Sequence, residues 1–320
     1  EEALLKVSST IVSYKTDAAV HDAWIAAFVF KVSKLIQGVG LGLRWEFLDE
    51  LVEKMPASVD FLEIAPENYI GRGGHVRAQL AKLAARYPIL THGLTMSLAG
   101  TEPIRADYMH NLREFLGEMK TPWHSDHLCF SVSGGRVLHD LLPPRMTLAS
   151  AARTADRVKR AQDELGITMA VENISFYMPK GEDELDEPDF VAEVCARADC
   201  GLMLDVNNVY VNSVNFGFDP AWWLSRVPLE RVVQMHVAGG EWIEDIEGAP
   251  RTLIDSHGTD VPDPVLDLFR HARKHTPHVP VVVERDQDIP PLAGLLKEIE
   301  RVRGAEMVES AENQPFRNEG

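Results

Sequence analysis

One pattern constrains this chain more than any other: from Gly38 onward, short runs rich in Val, Ile and Leu alternate with longer stretches of helical period, eight times over. The runs fall at 38–43, 60–64, 89–93, 122–128, 167–172, 201–206, 231–237 and 279–285. Short, almost continuous apolar runs read as strands covered on both faces, as in parallel sheets. The helical stretches are 45–54, 75–87, 107–119, 145–165, 188–198, 220–227, 262–274 and 290–302. Several open near a proline, whose missing N–H is harmless in a first turn. Eight strand–helix units predict an α/β fold closed as a (β/α)8 TIM barrel over residues 38–304. An open, doubly wound sheet is disfavoured: no G-x-G-x-x-G follows the first strand, and Gly38-Val39-Gly40-Leu41-Gly42 runs straight into Leu43-Arg44. The length of 320 residues also suits one barrel, a fold that takes about 250 residues as a single domain.

Residues 1–37 stand outside the repeat as an extension of uncertain structure. Its apolar part, 18–30, is interrupted by His21 and Asp22 and is shorter than the roughly 20 residues of a spanning helix. It also lacks the basic flank and cleavage site of a signal peptide. Residues 305–320 are polar and aperiodic, and are expected to be a disordered tail.

Charge narrows the function classes. With 32 Lys+Arg against 49 Asp+Glu, the formal net charge is −17, which excludes broad contact with nucleic-acid phosphates and favours a cationic or metal-bound partner. No segment reads as a membrane span. Cys129, Cys195 and Cys200 are odd in number and lack C-x-x-C spacing, so they form no disulfide framework. A reducing, cytoplasmic setting follows.

A barrel carries its chemistry at the C-terminal ends of its strands. The second strand ends in Glu63, followed by Glu67-Asn68; the third in His92-Gly93; the fourth in Ser125-Asp126-His127; the fifth in Glu172-Asn173. The sixth ends in Asp205-Val206-Asn207-Asn208, the seventh in His236, the eighth in Glu284-Arg285-Asp286, and the insertion after the seventh adds Asp255-Ser256-His257. Singly, each has a bland reading: a solvated or helix-capping carboxylate, a turn-forming Asp-Asn cluster, a satisfied core histidine. Jointly, seven of eight strands end in a potential ligand, and converging carboxylates and imidazoles need a cation between them. A nitrogen and oxygen donor set without thiolate suits iron, manganese or zinc, and at least eight donors exceed what one ion uses, so two or three ions are expected. His271, His275 and His278 read as surface residues, Trp222-Trp223 as helix packing, and the acidic run 182–187 as a solvated loop.

Ten ordered motifs carry a family resemblance. They are Gly40-Leu41-Gly42-Leu43-Arg44, Pro66-Glu67-Asn68-Tyr69, Thr91-His92-Gly93 with Ser97-Leu98, Ser125-Asp126-His127-Leu128, His139-Asp140-Leu141-Leu142-Pro143, Glu172-Asn173-Ile174-Ser175, Leu204-Asp205-Val206-Asn207-Asn208, His236-Val237-Ala238-Gly239, Asp255-Ser256-His257 and Glu284-Arg285-Asp286. Over about 38–302 the chain resembles the multinuclear non-haem iron-dependent oxidative enzymes, which include the iron enzyme of methanobactin biosynthesis. The resemblance implies a xylose-isomerase-like barrel holding two or three irons. It further implies dioxygen-dependent modification of cysteines in a ribosomally made precursor peptide, to an oxazolone-thioamide or related heterocycle, often with a partner protein presenting the peptide. Carried over by motif, the metal ligands are His92, Asp126, Glu172, Asp205, His236, Asp255, His257 and Glu284, with Asn208, Asn173 and His127 as further ligands or supporting groups; Asp255 and His257 are the catalytic candidates. Some family members carry a histidine in the second-strand segment, where this chain has Glu63-Ile64-Ala65-Pro66-Glu67-Asn68. The rival reading is a divalent-metal sugar isomerase or hydrolase of xylose-isomerase type, using much the same rim.

Overall fold

The computed structural model describes residues 36–178, 181, 183–243 and 251–307. Most of the expected N-terminal extension, most of the expected tail, Glu182 of the acidic run and the side chain of His139 lie outside the described residues.

All eight expected strands form. They are β1 (Val39–Gly42), β2 (Leu62–Ile64), β3 (Ile89–Gly93), β4 (Trp123–His127), β7 (Thr168–Glu172), β8 (Gly201–Asp205), β9 (Val232–Val237) and β12 (Val281–Val283). They close in the order β1-β12-β9-β8-β7-β4-β3-β2, each neighbour parallel. Around them lie α1 (Leu48–Lys54), α2 (Gly74–Ala84), α3 (Ala106–Met119), α4 (Leu148–Leu165), α5 (Glu187–Ala198), α6 (Val206–Phe216), α7 (Pro220–Leu224), α8 (Asp263–Arg273) and α9 (Leu292–Met307). Helix α9 runs three residues past the expected end of the barrel at 304.

Three elements were not expected from the sequence. Two antiparallel hairpins, β5 (Phe130–Ser133) with β6 (Arg136–Leu142) and β10 (Glu241–Ile243) with β11 (Thr252–Ile254), stand on strand-to-helix connections. The third is α6, whose Val- and Asn-rich sequence has poor intrinsic helix propensity. Tertiary contacts override that preference. The Asp205 side chain caps the helix by accepting from Asn208 N, Asn212 spans to Ile174 O and Phe176 N at 3.0 and 3.1 Å, and Asn215 pairs twice with Leu253 at 2.8 and 2.9 Å. What reads as an Asp-Asn turn is thus a helix start.

The strands separate two cores. Outward residues such as Leu41, Leu62, Val171, Leu204 and Val283 pack with the helices in one large cluster. Inside the barrel, Phe61, Leu90, Trp123, Ala170, Met203, Val233 and Val282, drawn from seven different strand segments, form a second, dry cluster together with Ile36 from the segment before β1. On β1 the inward position is Gly40, where a Cβ would come within 2.4 Å of the Phe61 ring, so glycine admits that ring.

Candidate metal centre

Two residues beyond that dry cluster, the same strands present polar groups, because side chains on one face of a strand recur with period two. Phe61 is followed by Glu63, Leu90 by His92, Trp123 by Ser125, Ala170 by Glu172, Met203 by Asp205 and Val282 by Glu284. On β9 a register shift against β8 lets Gln234 follow Val233 into the interior; Gln234 accepts from Trp123 Nε1 at 2.9 Å. The bulge re-aims the strand so that His236 faces inward while Met235 and Val237 join the outer core. All of these polar groups are buried except Glu284, which is 11% exposed.

The donors fall into four overlapping groups: His92, His127 and Glu172; Glu63, His236 and Glu284; Glu172, Asp205 and His236; Asp205, His257 and Glu284. Within each, the donor atoms lie within 4.8 Å of one another. In the first, His92 Nε2 is 3.2 Å from His127 Nε2, and Glu172 Oε2 is 3.0 and 3.1 Å from the two. Donors about 2.1 Å from one ion lie about 3.0–3.4 Å apart at angles of 90–109°, so this triangle has the size of a coordination face. His236 approaches Glu63 Oε1 at 2.9 Å through Nε2, and Glu284 Oε2 at 2.9 Å and Glu172 Oε1 at 3.5 Å through Nδ1. Glu172, Asp205, His236 and Glu284 each belong to two groups, as bridging positions would.

These residues fit a cation. Glu172 Oε2, Asp205 Oδ2, Asn208 Oδ1, His236 Nδ1 and His257 Nε2 are buried without a hydrogen-bond partner, although charged neighbours stand close to several of them. They converge without satisfying one another, which is costly unless a positive ion does so. Electrostatics point the same way. Burial opposes charge on His92, but Glu172 and Glu63 outweigh it and push the imidazole up to about 9. Burial likewise opposes charge on His236 and His257, yet Glu63 with Glu284, and Asp255 with Glu284, hold both well above the usual histidine range. Burial and the neighbouring Asp255 and Glu172 push Asp205 well above the carboxylate range. Protons on these groups offset the acids, and a bound cation would displace them.

Supporting contacts fix the donors. His92 Nδ1 pairs with Ser125 Oγ at 2.9 Å and His127 Nδ1 with Gly93 O at 3.1 Å, which leaves Nε2 of each ring facing Glu172. Asn173 pairs with both backbone groups of Asp205, at 2.9 and 3.0 Å. Asp255, at the end of the second hairpin, accepts from Asn207 Nδ2 at 2.6 Å and Ser175 Oγ at 3.1 Å, with Oδ1 2.7 Å from His257 Nε2. His257 holds φ +49°, a left-handed conformation rare for a side chain of its size, which turns the ring toward Glu284 and Asp286.

Of the residues expected as metal ligands, the structure brings together His92, Glu172, Asp205, His236, His257 and Glu284. Asp255 stands beside His257 and orients it, outside the four groups. Asn208 lies in the first turn of α6, donating from its backbone to Asp205 and from Nδ2 to Asn173 O at 3.0 Å, with Oδ1 unpartnered. Asp126 stands apart from the four groups. It lies one residue out of phase with Ser125 and His127, and its carboxylate instead accepts from Met96 N at 3.3 Å and His127 N at 2.7 Å. Burial, then the nearby Glu67, push Asp126 up to about 7. Glu63, expected at the end of the second strand, and His127, expected as a further ligand or supporting group, take inward places, as counting by twos from Phe61 and Trp123 requires.

The architecture and sequence have clear relatives. Endonuclease IV from Thermus thermophilus superposes with TM-score 0.53 at 15% identity, covering 85% of this chain and 100% of that chain. A xylose isomerase domain protein from Planctomyces limnophilus gives TM-score 0.53 at 16% identity, covering 84% and 98%. At such identities these likenesses establish the fold, a xylose-isomerase-like TIM barrel. Sequence relatives described as UPF0276 proteins are far closer: 39% identical over 264 residues in Shewanella amazonensis, covering 82% of this chain and 92% of the relative. In Pseudomonas aeruginosa the figures are 40% over 270 residues, 84% and 93%. The family model of the RiPP precursor modification enzymes MbnB/TglH/ChrH matches residues 38–307, the whole barrel with its converging donors, and the chain belongs to that family.

Proposed function

We propose that this enzyme binds iron, two or three ions per chain, and uses dioxygen to oxidise a cysteine of a ribosomally made precursor peptide toward an oxazolone-thioamide or related heterocycle. A partner protein presenting the peptide and a reducing cytoplasm belong to the same reading. The observation that carries it is the set of four overlapping donor groups with unpartnered buried atoms, too many for one ion and free of thiolate. Cys129, Cys195 and Cys200 are all buried, so the sulfur ligand comes from the substrate.

Iron held there would supply one-electron chemistry and a place for dioxygen to be reduced. The chain's own residues do the rest. His92, His127 and Glu172 hold one side, Glu63, His236 and Glu284 the other, with Asp205 between them. Asp255 faces His257 Nε2 while Glu284 and Asp286 face its Nδ1, so carboxylates on both sides orient this ring beside the donors where a cysteine thiol would enter. Among the described residues, every strongly exposed large apolar side chain lies in a strand-to-helix connection or opens the helix after it, Trp45, Leu94, Tyr177, Met178 and Trp242 among them. An apolar collar around an acidic mouth suits a peptide better than a small sugar.

The test is metal analysis with Mössbauer spectroscopy on protein purified anaerobically from iron-supplied cells, followed by dioxygen and a cysteine-containing peptide. Two or three irons that change oxidation state, with a mass loss on the peptide, are the expected result. A single zinc, magnesium or manganese ion and no iron would shift the reading to the isomerase or hydrolase class.

A further inference from the structure

β1 alone among the barrel strands ends without a potential metal ligand, and the structure fills its place with a fixed cation. The inward position two residues beyond Gly40 is Gly42, where a Cβ would meet Arg44 Nη1 at 3.2 Å. The guanidinium therefore lies where that strand's side chain would project. It donates from Nε to Asp286 Oδ1 at 2.7 Å, from Nη2 to Glu284 Oε1 at 3.1 Å and from Nη1 to Leu43 O at 3.2 Å. The other oxygen of the same carboxylate, Glu284 Oε2, faces His236 Nδ1 at 2.9 Å and His257 Nδ1 at 3.5 Å.

We propose that Arg44 is a positioning residue: its fork grips Glu284 by Oε1 and leaves Oε2 as the single oxygen offered to the metal centre, with Gly42 providing the space. The inference rests on the reading of Glu284 as a metal donor. A planar guanidinium can hold Glu284 and Asp286 together in fixed orientation, which a lysine ammonium cannot. A freed Glu284 could rotate both oxygens toward Arg44's side or toward the ions, and the donor geometry on that side would be lost. Asp286 also faces His257 Nδ1 at 3.3 Å, so the same fork steadies the carboxylate behind that ring.

A double-mutant cycle tests this without turnover. Ferrous iron is titrated anaerobically into metal-free wild type, Arg44→Gln, Glu284→Gln and the double variant, and the dissociation constant of the weakest-held ion is read with its Mössbauer parameters. Arg44→Gln is expected to weaken that ion about 10–100-fold, the usual scale for groups that orient a ligand. In the Glu284→Gln background the same change should add less than about twofold, since the two act as one unit. Gly42→Ala, which keeps the charge but crowds Nη1, should move binding in the same direction by less. Arg44→Lys should fold normally without restoring the wild-type spectrum. Equal weakening in both backgrounds, or tighter iron binding in Arg44→Gln through simple relief of charge repulsion, overturns the positioning role while leaving the iron reading intact. A wild type that takes up no iron overturns both.

Discussion

Two levels of the barrel interior, two residues apart along every strand but the bulged β9, are built on opposite terms. The lower level is Phe61, Leu90, Trp123, Ala170, Met203, Val233 and Val282, close-packed and dry. The upper level is Glu63, His92, Ser125, Glu172, Asp205, His236 and Glu284, with Arg44 in the eighth place. Apolar burial stabilises the first by about 25 cal/mol for each Å² removed from water. In the second, burial disfavours every charge, and the groups persist because imidazoles and carboxylates offset one another in advance of a ligand. One level specifies the barrel and the other spends stability on function. Gln234 joins them, accepting from Trp123 below and donating to Glu63 above.

The contrast can be broken first from above. Glu172→Ala removes a donor shared by two groups and should abolish peptide oxidation and lower iron content together, an effect beyond the 10–100-fold typical of merely supporting groups. Full activity with normal iron would remove Glu172 from the centre.

From below, Phe61→Ala should cost about 3–5 kcal/mol in urea unfolding, through lost burial and the cavity left beside Gly40. Iron per folded chain should hardly change. If metal affinity collapsed instead, the two levels would not be separable.

A smaller effect comes from a half-buried acid in the helical layer. Glu187 accepts from Trp223 Nε1 at 3.0 Å and Asn212 Nδ2 at 3.4 Å. Burial outweighs both hydrogen bonds and pushes it up from 4.5 to about 7. Because the folded pKa is raised, the folded chain keeps a proton that the unfolded chain releases. Stability should therefore fall as pH rises from about 4.5 to 7 and level off above, and Glu187→Gln should recover on the order of 2 kcal/mol at pH 8. Identical pH profiles for the two proteins would show that the carboxyl is solvated.

Much of this was legible in the chain. Eight buried parallel strands have to look like eight short apolar runs, so the barrel could be read directly, and the ligand types recurring at the strand ends were visible as a candidate metal site. Direction was not legible: the pleat sends Ser125 and His127 one way and Asp126 the other, and a run of ligand types at a strand end does not say which of them faces inward. Helix α6 was missed because its own residues prefer other conformations, and only Asp205, Ile174, Phe176 and Leu253 supply the partners that hold it.

The sequence by itself determined what depends on local pattern: the count and order of strands, the acidic balance, and the chemical types gathered at one end of a barrel. Tertiary structure decided what depends on direction. A bulge in β9 turned His236 inward, a missing side chain at Gly42 opened room for Arg44, and closure of the sheet brought Glu63 to His236 across 173 residues of chain. Those choices are set by register and packing between distant segments, which no single stretch of residues contains.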